Sequence, residues 1–345
     1  QVRSTHLTGL DFGCIRAPSC QAMKFAAYAL FLALRTAAGL MESTRYIRAP
    51  VSQGLQELRA KPVNTTSYDM QRYDVNVPGQ GDIMVYGYPT YQDVHVSGSL
   101  NSWESWEGGH VAKYCNILKG AIASGSSANV LDVGANIGAV TLPVAACVRH
   151  HGKVFAVEGM PSIADHLKAG VVANSLENVV MYDYAVSDPS AGDSLKMALN
   201  PTNKGGSTVK GNKPWSNSSA NVFTAKVTTL DSMLHQSPEM KRLRLAKMDI
   251  EGSEGLALKG GRELFSKYPP CTLVVELVGE WLARAGTPAA VVNAMLSGFG
   301  YDVSALPSFP ALAPHGTYTL EQKNMPGCVA RLGNNVDTLL RGTKK

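Results

Sequence analysis

The fold of this chain is decided by Asn129-Val130-Leu131-Asp132-Val133-Gly134-Ala135-Asn136-Ile137-Gly138. This stretch opens with a short apolar run, Val130 to Val133, which is typical of a strand buried on both faces. Two glycines four residues apart then break the run, and Thr141 to Val148 continues with helical spacing. The pattern predicts a strand, a tight turn and a helix whose first N–H groups are free. Glu158 ends the next apolar strand, Lys153 to Val157, where an α/β sheet places a carboxylate that holds ribose hydroxyls.

The glycine turn does not fit a nicotinamide-binding site. That fingerprint needs glycine at its first, third and sixth positions. Starting from Gly134, the third position is Asn136 and the sixth is Ala139. Asp132 lies inside the strand end, where a carboxylate would repel a pyrophosphate but suits a cationic ligand that carries an amino acid group. S-adenosylmethionine is such a ligand, and the alternative is a plain strand-to-helix turn that binds nothing.

A second acidic motif follows a later strand, Leu243-Arg244-Leu245-Ala246-Lys247-Met248-Asp249-Ile250-Glu251-Gly252-Ser253-Glu254. If the strand continues, its period of two puts the carboxylates of Asp249 and Glu251 on one side. Ligands gather at the carboxyl ends of the strands in an open α/β sheet, so both carboxylates are predicted to lie at the site. The alternative is that these acids form structural ion pairs with Lys247 or Lys259.

The two motifs together resemble the FkbM family of class I methyltransferases over about residues 94–303. The resemblance implies an α/β, Rossmann-like fold with a mostly parallel seven-stranded sheet and helices on both faces. It also implies a methyltransferase that moves a methyl group from S-adenosylmethionine to an oxygen, with a sugar or another hydroxyl compound as the acceptor. The sequence departs from the family at Gly159 and Met160, which intervene before Pro161 and place the ribose contact in question.

The resemblance also assigns roles to individual residues. Asp132, Gly134, Asn136 and Gly138 are expected near the methionine part of the cofactor, with Asp132 beside its ammonium group. Glu158 would hold the ribose. The cofactor residues are completed by Asp183 and Ala185, at the end of the third strand, where such folds place the adenine. Asp249 and Glu251 are expected to be catalytic, accepting the acceptor's proton or orienting its hydroxyls.

Composition bounds the partners of this chain. Its 345 residues carry a net charge of +5, without a dense basic run containing aromatic residues, so nucleic acid is not expected.

We expect an N-terminal extension over residues 1–63 and a methyltransferase domain over residues 64–345, with the recognisable core at 94–303. The apolar run Phe25–Leu34 is too short to span a bilayer, so it is predicted to be a helix that packs on the domain or a protein partner, with peripheral membrane contact as the alternative.

The six cysteines contain no Cys-x-x-Cys pair, so a structural zinc site is not expected. Cys14 and Cys20 are the better disulfide candidates, whereas Cys147 and Cys271 lie in apolar contexts typical of buried thiols. Two glycosylation patterns, Asn64-Thr65-Thr66 and Asn217-Ser218-Ser219, favour a glycoprotein of the secretory pathway or the extracellular space. The basic, acid-poor first 50 residues leave an organelle lumen as the alternative.

Two further segments are predicted to flank the site. Val94 to Ser97 alternates like a strand, and a helix is expected from Trp103 to Leu118, from which Glu104 and Glu107 can reach the site or face solvent. Residues 200–221 form a polar loop, a feature often found in lids, and its Lys204, Lys210 and Trp215 are candidates for acceptor contact.

Two other interpretations of the acidic residues stay open. The chain can be a non-catalytic structural or binding subunit on a methyltransferase scaffold, because fold alone does not imply function. Alternatively, Asp249 and Glu251 can hold a divalent cation that orients the acceptor oxygens, although no metal is expected.

Overall fold

The computed structural model describes residues 51–63, 69–217, 221–307, 315–325 and 328. All of them lie in the second of two compact units, Ile47–Lys345. The predicted helix at Phe25–Leu34, the pair Cys14 and Cys20, and the pattern at residues 64–66 lie outside the described residues, as do positions 218 and 219 of the second glycosylation pattern.

Helices and strands alternate along most of the described chain. The helices are α1 (Leu55–Ala60), α2 (Val96–Trp103), α3 (Gly108–Ala123), α4 (Thr141–Val148), α5 (Pro161–Ala173), α6 (Leu230–Gln236), α7 (Glu254–Gly260), α8 (Arg262–Lys267), α9 (Gly279–Arg284) and α10 (Ala289–Gly298). The strands are β1 (Gln71–Val77), β2 (Gly81–Gly87), β3 (Asn129–Val133), β4 (Val154–Val157), β5 (Val179–Tyr182), β6 (Ala185–Val186), β7 (Ser194–Ala198), β8 (Thr208–Val209), β9 (Val222–Thr228), β10 (Leu243–Met248), β11 (Thr272–Val278) and β12 (His315–Glu321).

A six-stranded sheet in the order β12-β11-β10-β3-β4-β5 forms the centre of the fold. The pairs from β11 to β5 are parallel, and β12 runs antiparallel to β11. The predicted α/β class with a mostly parallel sheet therefore describes this part of the chain. The order places β3 beside β10, so the glycine turn and the acidic motif emerge at the same edge of the sheet.

The central sheet has six strands among the described residues, not the seven that the resemblance implies, and Tyr301 adds only one bridge, with Gln322. Gly300 adopts a positive φ of 89°, which bends the chain just before the bridge. Asp302 then accepts a hydrogen bond at 3.0 Å from the backbone N–H of Ser304, which turns the chain away. Extended pairing therefore stops after a single residue.

Both faces of the central sheet are covered, which explains the continuous apolar runs in its strands. On β3, Val130 packs into one hydrophobic cluster, which also contains residues of α3, α4 and α5. Leu131 and Val133 pack into the opposite cluster, together with residues of α6 to α10. The alternation of side chains along a strand thus divides the core into two layers.

Two smaller sheets accompany the central one. Strands β1 and β2 form an antiparallel hairpin, and a four-stranded sheet has the order β6-β9-β7-β8. Strands β7 and β8 lie on either side of residues 199–207, which return toward the central sheet. This second sheet therefore anchors the polar loop predicted from composition.

The segment before the glycine turn differs from its prediction. Val96–Trp103 is a helix, where Val94 to Ser97 was expected to be a strand. The Asp93 carboxylate accepts hydrogen bonds from the backbone N–H and hydroxyl of Ser97, at 2.9 and 2.8 Å, which favours a helix start over an extended chain. The helix expected from Trp103 to Leu118 is also interrupted, because Glu104 and Glu107 both adopt positive φ values, 51° and 48°.

Residues just before the recognisable domain already contact it. Gln53 forms an antiparallel bridge with Met181 on the edge strand β5. Leu55 and Leu58 of α1 are buried in the core. This short segment therefore covers an edge that would otherwise expose unpaired backbone groups, while the boundary at residue 63 stays a prediction.

Two disulfides join cysteines that the sequence does not pair. Cys115 bonds to Cys147, linking α3 to α4, with 5.7 Å between their Cα atoms. Cys271 bonds to Cys328, with a Cα–Cα distance of 5.2 Å. The expectation of buried thiols at Cys147 and Cys271 is wrong, because folding brings each apolar cysteine against a partner 32 or 57 residues away.

Within the ranges that the structure describes, no helix is both long enough and apolar enough to span a bilayer.

Candidate functional site

A cavity of about 330 Å³ opens at the carboxyl ends of β3, β4, β10 and β11. Its walls come from the glycine turn, the acidic turn after β10, the start of α9 and the polar loop. Among the predicted site residues, the cavity is lined by Gly134, Asn136, Glu158, Ala185, Asp249 and Glu251. Asp132, Gly138 and Asp183 do not line it.

The two glycines of the turn have different structural roles. Gly134 has a φ of 84°, and an added Cβ would overlap the backbone carbonyl of Asp249. Glycine is therefore needed for the glycine turn and the acidic turn to touch. Gly138 has a φ of 90°, and its missing side chain leaves room for Leu142 and Leu167. Gly138 thus serves helix packing rather than the cavity.

Asp132 lies beneath the turn, with 2% of its surface exposed. One carboxylate oxygen accepts a hydrogen bond from the Thr141 hydroxyl at 2.6 Å, and the other has no hydrogen-bond partner. Burial raises the pKa of Asp132, and the Lys247 ammonium opposes that rise. This placement suits a structural carboxylate that fixes α4 and faces Lys247, and it does not put Asp132 at the cavity wall.

Glu158 and Asn136 form a connected pair at the cavity. The backbone N–H of Asn136 donates to Glu158 Oε2 at 3.0 Å, and the N–H of Met160 donates to Oε1 at 2.8 Å. Burial raises the pKa of Glu158 to about 7, even though both N–H groups favour its ionised form. Asn136 is held at a positive φ of 53°, which brings its N–H to the carboxylate. The departure at Gly159 and Met160 therefore supplies a second donor to Glu158.

Asp183 faces away from the cavity. Its carboxylate forms ion pairs with Lys168 at 3.5 Å and Lys226 at 3.8 Å. The neighbouring Ala185 does line the cavity. A change of direction after Tyr182, where β5 ends, puts Ala185 in a separate strand and explains why two residues so close in sequence face different surroundings. The structure therefore places the proposed adenine contact of Asp183 outside this site.

The acidic turn brings both predicted catalytic carboxylates to the cavity. Strand β10 ends at Met248, so the turn, rather than a continued strand, aligns Asp249 with Glu251. Glu251 has a φ of 57° and Gly252 one of 99°. Glu254 holds this conformation, because its Oε1 accepts hydrogen bonds from the N–H groups of Ile250 at 2.9 Å and Gly252 at 3.2 Å.

Asp249 is the ionised member of a carboxyl pair with Glu276. Lys247 Nζ donates to Asp249 Oδ2 at 3.2 Å. Burial acts to raise the pKa of Asp249, but the Lys247 ammonium and a hydrogen bond with Glu276 hold that pKa below its ordinary value. Burial and the charges of Asp249 and Glu251 raise the pKa of Glu276 to about 9. At neutral pH, Glu276 is therefore protonated and donates to Asp249.

Glu251 is paired with Lys213, a residue that the sequence reasoning missed. The Lys213 ammonium contacts Glu251 Oε2 and lies 3.7 Å from the ring centroid of Trp281. Burial raises the pKa of Glu251 to about 7, although Lys213 lowers it. Lys213 and Trp281 both line the cavity. Their contact joins the polar loop to the start of α9, which no local sequence pattern indicates.

The three carboxyl groups at this corner resemble a metal site only in part. Asp249, Glu251 and Glu276 each offer an oxygen, and these oxygens lie within 4.8 Å of one another. However, Lys247 contacts Asp249 and Lys213 contacts Glu251. A divalent cation would have to displace both ammonium groups, so the donor set fits an internally neutralised cluster better than a metal centre.

The polar loop contacts the acidic turn through side chains other than the three that were candidates for acceptor contact. Thr208 Oγ1 donates to the backbone carbonyl of Glu251 at 3.0 Å, and Asn212 Nδ2 donates to Ser253 Oγ at 2.9 Å. Lys204 is buried and its ammonium donates to the Pro201 carbonyl at 3.2 Å. The other two candidates, Lys210 and Trp215, also do not line the cavity, whereas Glu107 and Trp106 do.

The mostly parallel sheet and the carboxylate-rich cavity at its carboxyl edge define an α/β protein with a candidate ligand site. Residues 132–303 match the family model described as the methyltransferase FkbM domain. The chain therefore carries an FkbM methyltransferase domain.

Solved structures of methyltransferases are similar to this chain at low identity. The small RNA methyltransferase HEN1 shares 12% identity over 62% of this chain and 26% of that chain, with a TM-score of 0.29. This chain thus matches about a quarter of the HEN1 chain. The S-adenosylmethionine-dependent methyltransferase SibL, in its apo form, shares 13% identity over 78% of this chain and 68% of that chain, with a TM-score of 0.28. No curated protein matches the chain.

Proposed function

We propose that this chain transfers a methyl group from S-adenosylmethionine to a hydroxyl oxygen, with a sugar as the preferred acceptor. The observation that carries the proposal is the convergence of Glu158, from the end of β4, with Asp249 and Glu251, from the turn after β10, on one cavity. Glu158 follows β4, on one side of β3 in the central sheet. Asp249 and Glu251 follow β10, on the other side of β3.

The residues present fit the cofactor. S-adenosylmethionine would supply an electrophilic methyl group on a positively charged sulfonium. Glu158 lines the cavity and is held by two backbone N–H groups, so its ionised carboxylate gives this part of the wall negative charge, which favours a cationic ligand. Glycine at position 134 lets a ligand approach the backbone closely.

Each cofactor residue has a defined task in this proposal. Glu158, already oriented by the N–H groups of Asn136 and Met160, would accept hydrogen bonds from the two ribose hydroxyls. Ala185 would pack against the adenine, and the backbone of Gly134 would border the methionine part. Because these groups are held by the fold before binding, little ordering is needed when the cofactor enters.

Glu251 is our candidate for the general base. Its pKa of about 7 keeps a substantial fraction ionised at neutral pH, where a base must accept a proton. Glu251 would accept the proton of the acceptor hydroxyl while that oxygen takes the methyl group from the sulfonium, whose bond to the methyl carbon breaks to leave a neutral thioether. Asp249, held by Lys247 and Glu276, would orient the same hydroxyl through a hydrogen bond.

Under this proposal, the two disulfides indicate the compartment in which the protein acts. Disulfides persist in oxidising surroundings and are rare in the cytosol. The bonds Cys115–Cys147 and Cys271–Cys328 therefore favour the secretory pathway or the extracellular space. Glycans are abundant hydroxyl acceptors there, which supports a sugar acceptor.

The experiment is single-turnover methyl transfer from saturating S-adenosylmethionine to a panel of mono- and oligosaccharides. Asp249→Asn and Glu251→Gln should each lower the rate by roughly 100-fold or more while keeping most cofactor affinity. The double variant should cost much less than the sum, because the two residues act on one hydroxyl. Wild-type rates in both single variants would return these acids to a structural ion-pair role.

A further inference from the structure

A second cavity of about 300 Å³ adjoins the first and shares two wall residues with it, Trp106 and Ala139. It lies between β1, the turn from α2 to α3, the outer face of α3 and the start of α4. The disulfide Cys115–Cys147 forms part of its wall and fixes the two helices to each other. The second cavity therefore has a wall fixed by the fold and borders the first cavity at Trp106 and Ala139.

The turn between the two cavities is held in an unfavourable backbone conformation. Glu104 and Glu107 have φ values of 51° and 48°, a region that side-chain-bearing residues seldom adopt. Such strain concentrates at ligand sites, where the surrounding structure maintains it. Here it directs Trp106 and Glu107 toward the cofactor cavity and leaves Trp103 on the outer side, 77% exposed.

A tryptophan that is exposed beside a cavity is better explained by contact with a ligand than by packing. Trp103 lines the second cavity, and its exposed ring offers an electron-rich face to C–H groups. The exposed polar side chains of Asn116 and Lys119 surround the same cavity and can bond hydroxyl oxygens. Aromatic faces next to hydrogen-bonding groups match the alternating apolar and hydroxyl surfaces of a sugar ring.

The size of the first cavity limits how much of an acceptor it can hold beside the cofactor. At about 330 Å³ it lies at the lower end of the range for a single small ligand. A cofactor that fills it leaves the acceptor only the margin near Asp249 and Glu251. An acceptor longer than one sugar unit needs a surface that continues beyond this margin.

We propose that the second cavity binds the sugar units next to the methylated one, so that the acceptor is an oligosaccharide or glycan chain. Trp103 stacks on a sugar ring, and Trp106 lies where the chain passes from the second cavity to the first. This inference rests on the proposed function, because it names the substrate class of the same site.

The test measures binding of the full chain to immobilised neutral oligosaccharides in the presence of S-adenosylmethionine. Trp103→Ala should weaken binding about tenfold, and Trp103→Phe should recover most of the loss, since a phenyl ring also stacks. Tyr91→Ala is the matched control, because Tyr91 is 72% exposed and lines neither cavity. It should leave glycan binding unchanged.

Cofactor binding, measured by calorimetry on the same samples, separates the two claims. Failure to bind S-adenosylmethionine would refute the proposed function. Normal cofactor binding without any oligosaccharide binding, or equal glycan affinity in wild type and Trp103→Ala, would overturn only the assignment of the second cavity. Equal glycan affinity in wild type and Trp103→Ala would assign Trp103 to another surface, such as a protein or membrane contact.

Discussion

Substituting Glu254 by glutamine tests the electrostatics of the acidic turn without any ligand. Glu254 is 1% exposed, and its Oε1 holds the turn that presents Glu251. Its other oxygen has no hydrogen-bond partner, and burial raises its pKa to about 8. Glutamine keeps one acceptor oxygen in the same place and removes the titration. The turn should therefore survive in Glu254→Gln.

The sign of the effect follows from proton linkage. The ordinary pKa of glutamate is 4.5 and the folded value of Glu254 is about 8, so the folded chain holds the extra proton between these values. Stability falls with rising pH wherever the native state binds more protons. Linkage through this single group gives a loss of about 2–3 kcal/mol in the wild-type free energy of unfolding between about pH 5 and pH 7.

The assay is denaturant unfolding of wild type and Glu254→Gln at several pH values. The free energy of unfolding of the variant relative to wild type should rise by about 2–3 kcal/mol across the same pH window. Glu280→Gln, at an exposed position of α9, controls for the loss of a negative charge. A difference between wild type and Glu254→Gln that does not change with pH would refute the burial argument for this carboxyl.

Three other predictions concern the cofactor, the first 50 residues and the lysine of the polar loop. Glu158→Ala should weaken S-adenosylmethionine binding by about 1.5–3 kcal/mol, the scale of hydrogen bonds to a charged group, and unchanged affinity in a folded variant would remove Glu158 from the site. Deleting residues 1–50 should leave a folded domain that binds cofactor, whereas an insoluble or molten product would place that segment in the core. Lys213→Met should move the pH dependence of methyl transfer to higher pH, because Lys213 lowers the pKa of Glu251, while the exposed Lys210→Met in the same loop should not.

The central part of the fold was predictable because its signals are local. The apolar run before Gly134 and the helical spacing after it match β3 and α4. The convergence of Glu158, Asp249 and Glu251 was also predictable, because parallel strands present their carboxyl ends at one edge. Asp249 and Glu251 reach the cavity through a turn at positive φ, although an extended strand was the expected reason.

The remaining features depend on contacts between distant segments. Lys213 meets Glu251 and Trp281 only after the polar loop folds over the sheet edge. Cys147 in its apolar helix carries no sign of its partner, because the pairing depends on how α3 packs against α4. Asp183 directly follows β5, just as Glu158 directly follows β4. However, the chain changes direction after Tyr182, and this turns Asp183 toward Lys168.

Calorimetric titration of the full chain with S-adenosylmethionine tests the central claim most directly. The account predicts saturable binding to one site per chain, through the cavity bordered by Gly134 and Glu158. No heat of binding at millimolar cofactor would contradict it, and would favour a structural or binding subunit built on a methyltransferase scaffold.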